Sequence, residues 1–146
     1  MHRSPSRRAL SLSLLLAACG GGGTEAIKTG FDDTGADVDE DPPEITHEQL
    51  GTQLFGQAAL VQATVVDLES EIGEVKVFYR RNDVTTWSEL ALTPAGDDLF
   101  GVQIPGDEVS GSGMKYYLTA ADVVGNTVAY PIEGEALPLD FRVSAD

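Results

Sequence analysis

From residue 43 onward, apolar and polar residues alternate in short runs. Residues 60–66 place Val61, Ala63 and Val65 on one face, with Gln62 and Thr64 on the other. Residues 74–80 place Val75, Val77 and Tyr79 on one face and Lys76, Phe78 and Arg80 on the opposite one. Five more runs follow, at residues 87–92, 99–105, 115–121, 128–131 and 139–143. Turn-forming sequences separate them: Glu71-Ile72-Gly73, Arg81-Asn82-Asp83, Pro94-Ala95-Gly96-Asp97, and residues 122–126. A period of two over four to eight residues is the mark of a half-buried strand. No segment sustains a helical period. Six or seven short strands within about 100 residues predict an all-β domain, a sandwich of two sheets that bury each other's apolar sides.

Upstream the pattern breaks. Residues 20–44 are Gly-rich and then acidic, with Ile27, Phe31 and Val38 as the only sizeable apolar side chains. Such a segment cannot bury enough surface to order itself, so a disordered tether is expected over residues 19–42. Pro42-Pro43 stiffens the junction and opens a domain expected to run over 43–144. Asp37, Asp39 and Asp41 alternate like the start of a calcium loop. That loop needs Gly at its sixth position, where Pro42 stands, and a Glu at its twelfth, here Glu48. A solvated acidic spacer is the expectation.

The first 18 residues carry Arg3, Arg7 and Arg8, then an apolar stretch at residues 9–18. That stretch is about half the 20 residues a membrane-spanning helix needs. A basic start, a short apolar run and small residues at its end read as a secretory signal peptide over residues 1–18. Leu16-Ala17-Ala18-Cys19 resembles the lipobox of bacterial lipoproteins. The resemblance implies a diacylglyceryl group on the Cys19 thiol, cleavage just before it, and acylation of the new amine. Several acyl chains on one residue anchor a protein stably, where one chain is marginal. Gly20 in place of Asp implies the outer membrane of the cell envelope. Ser6-Arg7-Arg8-Ala9-Leu10 has a slight likeness to a twin-arginine signal, from which Ser11 departs; ordinary secretion is expected.

Composition narrows the function. The 146 residues carry a net charge of −15, one Cys and two His. A single Cys makes no internal disulfide and, with two His, no zinc cluster. The acidity opposes nucleic acid and any basic patch for anionic lipid. After export, His47 is the one histidine left, expected at the surface or on an edge strand. There is no G-x-S-x-G, no nucleotide loop and no thiol beyond the lipidated one. The chain therefore reads as non-enzymatic and free of cofactors, with a small hydrolase as a remote alternative.

Residues 75–80 followed by Trp87 resemble the middle strands of a fibronectin type III or bacterial immunoglobulin-like domain. Residues 116–126 resemble the penultimate strand of that class and its turn, and the opening Asp41-Pro42-Pro43-Glu44-Ile45 is similar as well. The resemblance covers about residues 43–144 and implies a single sandwich with a binding or structural role, its protein or glycan partner unspecified. The chain departs from it in lacking a Cys pair and in the late Trp. Asp67, Glu69, Glu71 and Glu74 cluster in one turn, and Asp122 and Asn126 flank another. Modules of this class sometimes hold calcium between such loops, but solvated loops and no metal are the expectation. Trp87 is expected either in the core with Leu90, Leu92, Leu99 and Phe100, or as a ligand contact with Tyr116 or Tyr117. In the second case residues 87, 96–100 and 116–117 resemble a glycogen-binding type of carbohydrate-binding module.

Overall fold

The computed structural model describes residues 38–111 and 113–145. The signal peptide, the lipobox residues Leu16, Ala17 and Ala18, and Cys19 lie outside the described residues. The strands are β1 (Glu44–Thr46), β2 (Gln53–Leu54), β3 (Ala59–Val66), β4 (Ile72–Arg81), β5 (Ser88–Ala91) and β6 (Thr93–Gly96). They continue with β7 (Leu99–Ile104), β8 (Met114–Asp122), β9 (Thr127–Tyr130), β10 (Leu139–Phe141) and β11 (Val143–Ser144). One 3₁₀ turn, Gly134–Ala136, lies between β9 and β10.

One sheet has the order β1-β3-β7-β6 and the other β10-β8-β4-β5, with β9 beside β10 along the same edge of β8. All pairs in these two sheets are antiparallel. A short parallel pair, β2 with β11, closes one corner. This is an all-β sandwich, and its strand order is the Greek-key order of immunoglobulin-like domains. The alternation in sequence becomes the alternation in space. Val61, Ala63 and Val65 of β3 are buried and face Val75, Val77 and Tyr79 of β4 and Tyr116, Leu118 and Ala120 of β8. Burying one such aliphatic side chain stabilises by about 1.5–3 kcal/mol, so this doubly lined interior holds the sheets together.

Three strands escaped the sequence pattern. β1 and β2 have three and two residues, too few to show a period. β6 contains Pro94 and Gly96, which read as a turn. It lies at the edge of its sheet, where a missing N–H costs no ladder bond. The turn falls one step later, at Asp97 and Asp98, whose φ angles of 45° and 63° are those of a type I′ hairpin. Between β5 and β6 the chain passes from one sheet to the other at Leu92, which is buried and still donates its N–H to the Val75 carbonyl at 2.8 Å.

Asp39, which the sequence assigns to a solvated spacer, packs on the domain instead. Asp39 is only 8% exposed, and its backbone carbonyl accepts a bond from Asn126 Nδ2 at 3.0 Å. Pro43 is fully buried.

Candidate functional site

The outward side chains of β4 and β8 make the most distinctive surface of the molecule. Phe78 and Tyr117 are direct cross-strand partners. Their rings stack 4.8 Å apart at an interplanar angle of 8°. Cross-strand aromatic pairs of this kind hold register as well as area. The Trp87 ring meets Tyr117 edge to face at 5.0 Å. The Arg80 guanidinium lies 4.8 Å over the Trp87 ring, a cation–π contact. Trp87 Nε1 donates to Glu135 Oε1 at 3.0 Å, tying this cluster to the 3₁₀ turn. Gly134 in that turn has φ of 51°, and a Cβ there would press to 3.3 Å from the Ala129 Cβ and 3.7 Å from the Tyr117 ring.

Beside the aromatic pair runs a shallow groove of about 400 Å³. Phe78, Tyr117, Lys76, Glu74, Thr119 and Ala129 are among the residues that line it. Lys76 Nζ bridges Glu74 at 3.2 Å and Glu89 at 3.6 Å. The hydrogen bond and charge of Glu74, then the charge of Glu89, raise the Lys76 pKa, so the ammonium is fixed as a cation. Tyr117 is also pushed up, first by desolvation and then by the charges of Glu135 and Glu89, so it stays a neutral phenol. The groove thus offers an aromatic wall, a fixed cation, carboxylates and a hydroxyl. These are the elements of a binding surface.

The sequence placed Trp87 either in the core or at a ligand. It is absent from the core cluster and half-buried on the outer face. Leu92 alone of its proposed companions is fully in the core, with Leu90 and Phe100 packed at its margin. Tyr117 joins Trp87, as the ligand reading required. Tyr116 does not: it is 0% exposed, because period two turns every second residue of β8 inward. Phe78 and Arg80 were missed as site residues, although their place on the polar side of β4 was the available signal.

His47 is likewise not at the surface; it is 8% exposed. Its Nδ1 lies 2.6 Å from the Gln62 carbonyl, which can only accept, so Nδ1 carries the proton. Nε2 then accepts the Tyr116 hydroxyl at 2.8 Å, and the Tyr116 oxygen accepts the Leu50 N–H at 2.9 Å. Burial lowers the His47 pKa despite the bond to Gln62, and desolvation pushes Tyr116 up to about 12. Both rings are neutral members of a core network.

The acidic residues divide. Asp67, in the β3–β4 turn, and Asp122, at the end of β8, come together with Asp39. One carboxylate oxygen from each lies within 4.8 Å of the others. Asp67 Oδ1 accepts the N–H groups of Glu69 and Ser70, both at 2.8 Å. Asp122 Oδ1 accepts three backbone N–H groups, from Val124, Gly125 and Asn126, and Oδ2 accepts Asn126 Nδ2 at 2.7 Å. Desolvation opposes ionisation of Asp122, but these bonds outweigh it and its pKa is lowered. Glu69 is exposed, and its pKa is raised, first by the charge of Asp39. The Glu71 side chain is exposed; its carbonyl accepts the Val123 N–H at 2.9 Å. Oxygen is the only donor these groups offer, which suits a hard cation and not zinc.

No helix among the described residues is long and apolar enough to cross a membrane. No protein-family model matches the chain, and comparison with curated proteins finds no match either.

Proposed function

We propose that this chain is a lipid-anchored protein of the bacterial cell envelope, held at Cys19, with its sandwich acting as a non-enzymatic binding or structural module. The groove beside Phe78 and Tyr117 carries the binding half of this reading. It is lined by both aromatic and charged side chains, and its residues come from strands and not from loops. The same features disfavour catalysis. His47, the one described histidine, has both nitrogens engaged inside the fold.

A carbohydrate ligand is the reading that the aromatic wall favours. A sugar ring presents a C–H face that packs on an aromatic surface, and hydroxyls that reach Lys76, Glu74 and Thr119. Trp87 then braces Tyr117 and is not itself the platform, since Arg80 covers its ring. The test is a glycan array probed with the full chain in detergent, followed by titration of any hit. Phe78→Ala is expected to weaken binding at least tenfold, while loss of the stack costs the fold only about 0.5–1.5 kcal/mol. Trp87→Ala is expected to weaken it less. Binding to no glycan would sink the carbohydrate reading.

A further inference from the structure

Asp39, Asp67 and Asp122 reach one point from three separate parts of the chain. Asp39 precedes β1, Asp67 follows β3, and Asp122 ends β8. Each carboxylate is already oriented by backbone N–H groups, Asp39 through the Asp41 N–H at 3.0 Å. What remains is unusual. Asp39 Oδ2 has no hydrogen-bond partner although the residue is 8% exposed, and Asp67 Oδ2 is buried without a partner too. The hydroxyl of Ser70, in the same turn as Asp67, is a third such atom. Buried acceptors without partners are rare in folded proteins. Among the described residues no lysine or arginine forms a salt bridge with any of the three aspartates. One carboxylate oxygen from each aspartate lies within 4.8 Å of the others, and two of the three carboxylates keep a buried oxygen without a partner, so the cluster calls for a positive charge.

We propose that Asp39, Asp67 and Asp122 bind a calcium ion that fastens the segment before β1 to the β3–β4 and β8–β9 turns. Calcium accepts six to eight oxygens at about 2.3–2.6 Å, so two ligands of one ion stand up to about 5 Å apart, as these do. Magnesium demands shorter contacts and near-ideal octahedral geometry and gives up its waters reluctantly, so calcium is the better fit to a few protein carboxylates. The ion's role is structural. It holds the Asp39 segment against the domain.

The full chain, purified in detergent and stripped with EGTA, tests this by calorimetric titration with calcium chloride and by thermal unfolding. One ion per chain is expected, with Tm higher by about 10 °C in excess calcium than in EGTA, and little gain in equimolar magnesium. Asp39→Asn and Asp67→Asn are each expected to weaken calcium binding at least tenfold. In EGTA the same variants are expected to unfold at or above the wild-type temperature, because each removes a repelling charge. That reversal separates an ion site from a merely structural carboxylate. Asp83→Asn, in the exposed turn after β4, is expected to change nothing. Equal Tm in calcium and EGTA with no binding heat would overturn the proposal. So would calcium binding that survives both variants, which would assign it to the acidic tether. A Tm that is indifferent to calcium but rises on mild acidification would assign the orphan oxygens to a shared proton instead.

Discussion

At the scale of the residue, His47 is the clearest case of environment deciding chemistry. Burial lowers its pKa below the ordinary 6.5 and keeps the ring neutral in the fold. The unfolded chain, with the ordinary pKa, therefore takes up a proton where the folded chain does not. The His47 contribution to stability is complete above pH 6.5, and is lost progressively as pH falls from 6.5 toward the lowered value. Tm measured from pH 7.5 down to pH 5 is expected to fall, and His47→Gln is expected to flatten that slope. The variant is also expected to cost about 1–3 kcal/mol at neutral pH, by leaving the Gln62 carbonyl or the Tyr116 hydroxyl poorly paired. An identical slope in the variant would assign the acid sensitivity to other groups.

At the scale of the element, the interesting joint is the start of β4. The register against β8 shifts between Ile72 and Glu74, leaving Gly73 at the irregularity. A Cβ on Gly73 would sit 2.8 Å from the Asp122 carbonyl oxygen and 3.3 Å from the Val123 nitrogen. Both are backbone atoms, so the strands themselves must part. Gly73→Ala is expected to cost about 1–3 kcal/mol, lowering Tm by roughly 5–15 °C, as a thermal melt reads. Gly51→Ala, which has nothing within 4 Å, is the control and is expected to stay within about 0.5 kcal/mol. A neutral Gly73→Ala would mean that the Asp122 turn has slack, and would weaken the case for a preformed ion site there. The alternation of β3, β4 and β8 was legible in sequence because each strand is eight to ten residues long, enough to show a period. β1, β2 and β6 were not, because pairing with a neighbour, and not their own pattern, makes them strands.

At the scale of the whole molecule, the question is what the sandwich is attached to. The net charge of −15 includes Arg3, Arg7 and Arg8, so removal of residues 1–18 leaves a still more acidic protein. Such a chain gains nothing from an anionic membrane surface, so the proposed anchoring rests on lipid alone. Cys19→Ser removes the thiol on which the proposed anchoring depends. Cells fed labelled palmitate are expected to label the wild type and not the variant, and the variant is expected to keep its signal peptide and lose membrane retention after washing. Equal labelling of the Ser variant would dispose of the anchor. The proposed calcium ion belongs to this scale as well, since it joins the segment before β1 to two turns of the sandwich.

Short-range pattern alone determined that this protein is an all-β sandwich and which face of each long strand turns inward. A strand's period is local, and burial follows it. The proposed export and lipid attachment likewise rest on contiguous residues. Only the tertiary structure decided which distant residues meet. Phe78 joins Tyr117 because β4 and β8 pair in one register, which no local pattern states. Tyr116, one residue away, is turned into the core by the strand's own period of two. Asp39 seemed to belong to a solvated spacer, and Asp67 and Asp122 to separate turns. The Greek-key path brings both turns to one end of the sandwich, and the chain before β1 brings Asp39 to them. Spacing in sequence carries no record of that meeting, because the loops that create it are joined through the sheets.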